Sequence, residues 1–273
     1  MKLTAPRDGP LVRRHALTTR LTHWLWALCL FFLLLSGLQI FTARPDLYIG
    51  QQSGFGFDNT IFSIGAAYQD GQLTGVTRLF GSTFDTTGWL GVIDRAGTPQ
   101  PQTFPAWMTV PSYRDLATGR VVHFFFAWLL AGTLLLWLLG SLFNRHLARD
   151  IVPKGRDAKH LPRDIADHAK LRLHHGRTYG PLQKFSYFGV LFVALPLMIA
   201  TGLTMSPGMN AYAPWLLDLF GGRQTARTIH FGIMLLLVAF FVVHVAMVLL
   251  AGPFNELRSM ITGWMRIDRE DAR

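Results

Sequence analysis

Charged residues are scarce in this chain: Asp, Glu, Lys and Arg make up 15% of it, against 50% hydrophobic residues and a mean hydropathy of +0.28. A composition this apolar excludes an ordinary water-soluble domain. Cysteine is almost absent, since Cys29 is the single one. The chain therefore has no internal disulfide framework or iron–sulfur cluster, and without a Cys-x-x-Cys-His motif it cannot attach haem covalently. We expect Cys29 to be a packing residue.

Four apolar runs are free of Lys, Arg, Asp and Glu, and each is close to the roughly 20 residues that cross a bilayer core. They cover 21–41, 121–143, 185–205 and 228–251. The first lacks a small-residue cleavage site and is longer than a signal-peptide core, so we expect it to be retained. The sequence thus predicts an all-α integral membrane protein, a bundle of four transmembrane helices.

The net charge of +10 is unevenly distributed along the chain. Residues 1–20 carry five basic and one acidic side chain, and residues 144–184 carry ten basic and four acidic. Segment 42–119 carries four basic and six acidic. This asymmetry favours membrane topology over nucleic-acid binding: by the positive-inside rule, 144–184 and both termini face the cytoplasm of a bacterial inner membrane.

Segment 42–119, rich in Gly, Thr, Asp and Phe, is then predicted to be a long, irregular periplasmic loop. We expect the histidines of the cytoplasmic loop to be solvated. The predicted segments are a cytoplasmic N-terminus 1–20, a helix 21–41, the outer loop 42–119, a helix 120–143, a basic cytoplasmic loop 144–184 containing His146, His160, His168, His174 and His175, a helix 185–206, a periplasmic loop with an interfacial helix 207–226, a helix 227–251 and a cytoplasmic C-terminus 252–273.

Four histidines lie in the apolar runs, where titratable residues are costly and mark function: His23, His123, His230 and His244. The last two are 14 residues apart on one helix, which corresponds to roughly 21 Å and to nearly the same helix face. Depth in the membrane pairs His123 with His230 on the periplasmic side. It pairs His23 with His244 on the cytoplasmic side.

Two bis-histidine pairs inside a helix bundle are typical of two b-type haems that carry electrons, because no axial position is left for a substrate. Zinc fits poorly, since it prefers four tetrahedral ligands. An arginine precedes three of the histidines by three residues, and Arg20, Arg120 and Arg227 can each reach a haem propionate or anchor a helix at the interface. Gly37 and Gly202 can face a porphyrin or make close helix contacts.

At these residues the chain resembles the bacterial di-haem cytochrome b membrane subunits of formate dehydrogenases, nickel–iron hydrogenases and thiosulfate reductases. The resemblance rests on Arg20-Leu-Thr-His23-Trp24, on His123, and on the pair His230 and His244. The resemblance implies that the His123/His230 haem meets a periplasmic oxidoreductase partner, and that the other haem meets ubiquinone or menaquinone. The partner can be a molybdenum enzyme, a hydrogenase or a cytochrome c.

A segment before the third span also resembles the family. Tyr179-Gly-Pro-Leu-Gln183-Lys184 matches a stretch that lines the quinone pocket, so Tyr179 and Gln183 are implied quinone contacts. The family commonly has Asn after the Tyr. Here Gly180 takes that place, so an amide hydrogen bond is lost or supplied elsewhere.

The leading hypothesis is a quinone-linked electron-transfer subunit that forms no substrate bonds itself. A membrane anchor for a soluble enzyme would leave four buried histidines without partners. A proton-coupled transporter predicts broken helices or internal repeats, which the sequence does not show. The partner, the direction of electron flow, the quinone and the oligomeric state stay open.

Overall fold

A computed structural model describes residues 9–54, 56–143, 145–172 and 178–267. His174 and His175, which the sequence assigns to the cytoplasmic loop, lie outside these ranges. The described chain forms two compact units, which we name by their histidines. The His23 unit comprises Met1–Trp26, Ala131–Pro196 and Leu235–Arg273, and the His123 unit comprises Ala27–Leu130 and Leu197–Met234.

Four helical segments are long and apolar enough to cross a membrane, which confirms a mostly helical integral membrane protein. They are α1 (Leu17–Phe41), α2 (Leu116–Phe143), α4 with α5 (Pro181–Gly189 and Leu195–Thr204) and α8 (Arg223–Ala251). Each begins four residues before its predicted start. Hydropathy detects only the apolar part, whereas the first helical turn is polar and lies where water still satisfies its free N–H groups.

The third span is irregular in its middle. A π-helical turn, Val190–Ala194, joins α4 to α5. Pro196, two residues beyond this turn, has no N–H to donate to it, which accounts for a local change in the hydrogen-bond pattern.

The predicted irregular outer loop is wrong, and so is a purely α-helical fold. Four strands form an antiparallel sheet in the order β2-β3-β4-β5, and β6 pairs with β7. Their bounds are β2 Asp46–Tyr48, β3 Thr60–Gln69, β4 Gln72–Leu79, β5 Ser82–Asp85, β6 Val92–Arg95 and β7 Thr98–Pro101.

Short hairpin turns explain why this segment forms strands. Asp70-Gly71, Phe80-Gly81 and Ala96-Gly97 all have positive φ at both residues. Two such residues make the tight turn whose twist matches that of the flanking strands. Of these dipeptides only Asp-Gly is a recognised turn signal, so the sequence gives a local indication of one of the three hairpins.

The sheet is fixed to the first turns of α8. Arg227 Nη1 donates to the Asp46 carbonyl at 3.0 Å, and Arg227 Nη2 donates to the carbonyl of Arg44. Thr228 Oγ1 donates to the Tyr48 carbonyl at 2.7 Å. Beyond β2, the Gly50 carbonyl accepts from the backbone N–H groups that open α8, and Gly50 N–H donates to a threonine hydroxyl of the same turn.

An aromatic and aliphatic core lies beneath the sheet in the His123 unit. Phe41, at the end of α1, packs against Phe231 of α8 with ring centroids 4.7 Å apart. The fully enclosed members of the core are Leu38, Phe41, Leu47, Ile64 and Phe104. Burying each such side chain contributes about 1.5–3 kcal/mol, so this core holds the sheet onto the end of α1 and onto α8, the helix that carries His230.

In the His23 unit, the segments before α1 and after α8 are joined. Strand β1 (Leu11–Arg13) pairs antiparallel with β8 (Trp264–Arg266), and α9 (Pro253–Thr262) precedes β8. The same unit contains α3 (Gly155–Ala169), which a buried ion pair joins to α4. Lys184 Nζ lies 3.1 Å from both carboxylate oxygens of Asp157.

The connection between α5 and α8 contains two short helices in the His123 unit. They are α6 (Pro207–Tyr212) and α7 (Trp215–Leu219). Tyr212 and Trp215 are strongly exposed, as expected for aromatic side chains at a membrane surface.

Candidate haem sites and quinone pocket

The structure brings the four span histidines together as two pairs. In the His123 unit, the ring centroids of His123 and His230 are 6.4 Å apart. In the His23 unit, those of His23 and His244 are also 6.4 Å apart. These are the pairs that membrane depth predicts from the sequence. That each pair binds one haem stays a prediction.

The spacing of each pair suits one metal held between two imidazoles. A metal–imidazole bond is about 2 Å long and the ring centroid lies about 1.1 Å beyond the nitrogen, so two opposed ligands have centroids about 6.2 Å apart. Within the described ranges, no group of three or more His, Cys, Asp or Glu side chains is arranged to hold a metal. Each pair thus offers the two axial ligands that a b-type haem needs.

His123 is held by the Ser36-Gly37 step of α1. Ser36 Oγ lies 3.1 Å from His123 Nδ1, and Ser36 is fully buried. A Cβ placed on Gly37 would come within 3.3 Å of His123 Cε1, closer than most real contacts. The hydroxyl therefore holds one edge of the ring, and the missing side chain leaves space for it.

His230 is held in the same way by the Thr201-Gly202 step of α5. Thr201 Oγ1 lies 3.0 Å from His230 Nδ1, and a Cβ on Gly202 would lie 3.4 Å from His230 Cε1. Thr201 is also fully buried. Gly37 and Gly202 thus contact the ligand rings, whereas the sequence offered a porphyrin face or helix packing.

Sequence reasoning missed Ser36 and Thr201 as site residues. Both hydroxyls also bond backbone carbonyls of their own helix, which is the usual role of Ser and Thr in an apolar helix. The signal that could have found them is the repeated hydroxyl-plus-glycine dipeptide on two of the spans.

The His23/His244 pair has a different environment. Nδ1 of His23 is buried, and within the described residues it has no hydrogen-bond partner. Trp24 packs edge-on against the His23 ring at 5.2 Å between centroids, and Phe240 stacks on His244 at 5.8 Å. Aromatic rings thus pack against the His23/His244 pair, whereas hydroxyl groups contact the His123/His230 pair.

The three candidate propionate arginines lie in different surroundings. Arg20 packs against Gly263, and its Nε is buried without a hydrogen-bond partner among the described residues. Arg120 is exposed and lies over the Phe124 ring at 5.7 Å. Arg227 donates to the carbonyls described above and lies over Phe41. Arg227 thus anchors the sheet, and propionate contact by any of the three stays a prediction.

Tyr179 lies in a half-buried cluster at the start of the third span. Its Oη is 3.4 Å from Nδ1 of His15, and the two rings stack at 6.2 Å. The Arg14 guanidinium lies 4.7 Å above the Tyr179 ring, and Tyr187 packs edge-on at 5.2 Å. Burial raises the pKa of Tyr179, so its hydroxyl keeps its proton at neutral pH. His15 is a member of this cluster that sequence reasoning missed, since an isolated histidine in a polar segment carries no pattern.

Gln183 has a local structural role. Its Oε1 accepts a hydrogen bond from Gly180 N at 3.1 Å, which closes the first turn of α4. The carboxylate of Asp164 accepts from Leu182 N at 2.8 Å, and a Cβ on Gly180 would lie 3.3 Å from it. Gly180 therefore leaves room for a carboxylate from α3. Quinone contact by Gln183 stays a prediction.

Four apolar helices that present paired, half-buried histidines are typical of a membrane-bound b-type cytochrome. The chain belongs to the prokaryotic cytochrome b561 family, whose profile matches residues 14–263. It is similar to a protein of Azospira oryzae that is named as subunit YedZ1 of a protein-methionine-sulfoxide reductase, with 27% identity over 248 residues. That match covers 89% of this chain and 93% of the relative. The expected resemblance to bacterial cytochrome b membrane subunits is confirmed, and with it haem b binding and electron transfer as the general role.

Replacing Gly202 with Val should remove haem from the His123/His230 pair. The Cβ alone would already be in contact with the His230 ring at 3.4 Å, so we expect the two methyl groups of a valine to press against the ring. We expect pyridine haemochromogen analysis of purified protein to show a clear loss of haem relative to wild type. The matched control is Gly132→Val on α2, where a Cβ meets nothing within 4 Å. Equal haem content in the two variants would contradict haem binding by the His123/His230 pair.

The pH dependence of stability should carry a contribution from His15. Burial, followed by the positive charge of Arg14, lowers the pKa of His15 from 6.5 to about 4, with His23, His146 and Arg20 contributing. Between these values the unfolded chain binds a proton that the folded chain does not, so stability falls as pH decreases from about 6.5 towards 4. His15→Gln should flatten this part of the curve. Unfolding midpoints measured across that range provide the test, and an unchanged slope counts against it.

Proposed function

We propose that this chain is a di-haem cytochrome b subunit that transfers electrons between a quinone pool in the bacterial inner membrane and an oxidoreductase on the periplasmic side. The observation that carries the proposal is the pair of histidine couples, each with ring centroids 6.4 Å apart. One 29-residue helix, α8, supplies a histidine to each. A plain membrane anchor gives no reason for either couple.

The orientation follows from charge. The basic segments 1–20 and 144–184 face the cytoplasm, so both termini are cytoplasmic and the sheet of segment 42–119 is periplasmic. The His123/His230 couple, which shares a compact unit with that sheet, is then the one nearer the partner. The His23/His244 couple shares its unit with Tyr179 and faces the quinone side.

Each histidine couple has a defined task. His123 and His230 would hold one haem between them, and His23 and His244 would hold a second, so neither iron would offer a position to a small substrate. When bound, each haem takes up and releases one electron. The protein supplies the apolar surroundings, the ligand orientation and the exclusion of water.

The Tyr179 cluster is the candidate site for the quinone, ubiquinone or menaquinone. Oxidation of a quinol releases two electrons and two protons, so the pocket needs a hydroxyl or base that can hold a proton. Tyr179 keeps its hydroxyl proton and can donate it in a hydrogen bond to a quinone oxygen. His15 stays neutral at pH 7, and its ring can accept a proton or a hydrogen bond.

The partner and the direction of flow are proposed from the relative. Because that protein is named as a subunit of a protein-methionine-sulfoxide reductase, we infer that electrons leave a quinol and reach a periplasmic reductase acting on oxidised methionine. A dehydrogenase partner would reverse this direction. Incubating the reduced chain with candidate reductases distinguishes the two.

Single histidine variants test the number and pairing of the haems. The wild-type protein should bind two haems per chain, shown by a reduced-minus-oxidised spectrum and haem stoichiometry. His230→Ala and His244→Ala should each lose one haem and retain the other, because each removes one axial ligand from a different couple. His160→Ala, an exposed position on α3, is the matched control.

A colourless protein from haem-replete cells would refute the proposal as a whole. If each variant lost both haems while circular dichroism showed a preserved fold, the proposal that the two couples bind haem independently would be refuted. Retention of two haems in His230→Ala would refute its role as a ligand.

Tyr179→Phe should slow reduction of the protein by a quinol while leaving reduction by dithionite unchanged. The loss of one hydrogen bond, about 1.4 kcal/mol, corresponds to about a tenfold lower rate. Stopped-flow absorbance with ubiquinol and menaquinol analogues measures it. The control is Tyr212→Phe, whose ring is 87% exposed on α6. Equal quinol rates in the two variants would place the quinone elsewhere.

A further inference from the structure

The two histidine couples differ in the surroundings of the Nδ1 atoms of their rings. In the His123 unit, both Nδ1 atoms lie within 3.1 Å of a buried hydroxyl, from Ser36 and Thr201. In the His23 unit, Nδ1 of His23 is buried and has no hydrogen-bond partner among the described residues. The couples are alike in ring spacing and unlike in this contact.

The direction of the hydroxyl bonds is determined by the helices. Ser36 Oγ lies 2.6 Å from the Phe32 carbonyl, and Thr201 Oγ1 lies 2.8 Å from the Leu197 carbonyl. A carbonyl only accepts, so each hydroxyl proton is donated to its own helix. The hydroxyl lone pairs are left for the imidazole, which must then donate its Nδ1–H. The backbone carbonyls of Leu33 and Met198 also accept a hydrogen bond from the His123 and His230 rings respectively, which favours the same tautomer.

An imidazole that donates from Nδ1 has its proton fixed there, and its lone pair is on Nε2. This is the tautomer that a metal requires on Nε2, and it is held before any metal binds. A hydrogen bond from the distal N–H also makes the ligand more basic, so it stabilises the oxidised, more positive iron relative to the reduced one.

We propose that Ser36 and Thr201 are positioning residues for the haem of the His123/His230 couple, and that their two hydrogen bonds make this haem harder to reduce than it would be without them. The inference rests on the proposed function, since it takes the couple to be a haem site. It goes beyond that function by assigning a redox role to two hydroxyls outside the ligand set. Only one of the two couples has this device on both ligands.

The experiment is a redox titration of Thr201→Val and Ser36→Ala by visible spectroscopy. Valine keeps the shape of threonine and removes only the hydroxyl. We expect the midpoint potential of one haem to rise in each variant, and the affected haem to be the one missing from His230→Ala. The other haem should keep its potential. Resonance Raman bands of the axial ligands give an independent readout of weaker donation.

Thr204→Val is the matched control. Thr204 lies on the same helix, is fully buried like Thr201, and donates to its own Ala200 carbonyl at 2.8 Å, but it bonds no histidine in the described structure. Its replacement should leave both potentials at the wild-type values. Ser36→Thr and Thr201→Ser keep the hydroxyls and should also keep the wild-type potential.

Each outcome decides between the alternatives. Unchanged or lowered potentials in Thr201→Val and Ser36→Ala, or an equal shift in Thr204→Val, would overturn the inference while leaving the proposed function intact. If the hydroxyl-free variants lose the haem, retention in Ser36→Thr and Thr201→Ser supports the inference, and loss there overturns it. Absence of haem from the wild type would instead refute the proposed function.

Discussion

A neutral imidazole buried at membrane depth has one N–H to donate and one lone pair to share, and each left unmet costs free energy in an apolar medium. The structure of this cytochrome depends on that requirement. At His123 and His230 a hydroxyl of a neighbouring helix lies within hydrogen-bond distance of Nδ1, and the two rings lie at a spacing that suits one metal. Helix packing, the two glycines and the placement of Ser36 and Thr201 all serve this arrangement.

Much of the helical architecture could be predicted because its signals are local. Apolar runs revealed four spans, and the 14-residue interval on α8 fixed which histidines share a helix face. The outer strands escaped prediction because two of their three tight turns, one in the four-stranded sheet and one in the β6–β7 pair, are Phe-Gly and Ala-Gly. In these turns a non-glycine residue takes positive φ, which the residue type does not indicate. Strand pairing supplies the energy that makes such turns acceptable, and pairing is not visible in a single segment.

The roles of individual site residues were harder to predict, because a side chain's partner lies elsewhere in sequence. Arg227 lies three residues before His230, which suggested that it binds a haem propionate. In the structure its guanidinium donates to backbone carbonyls next to the sheet. Gly202 was recognised as small, but the ring it accommodates belongs to a residue 28 positions later. His15 joins Tyr179 across more than 160 residues of chain. Such contacts follow from the fold and cannot be predicted by periodicity.

The attachment of the outer sheet to α8 has a consequence for how this protein can vary. Arg227 and Thr228 donate only to main-chain carbonyls of the outer segment, and Gly50 also bonds α8 through its backbone. Any residue with the same backbone path presents the same atoms. The side chains of positions 44, 46 and 48 are thus not what these bonds recognise. The outer segment can vary at these positions and keep its main-chain attachment, whereas the positions that pack against Phe231 of α8, such as Phe62, must stay apolar.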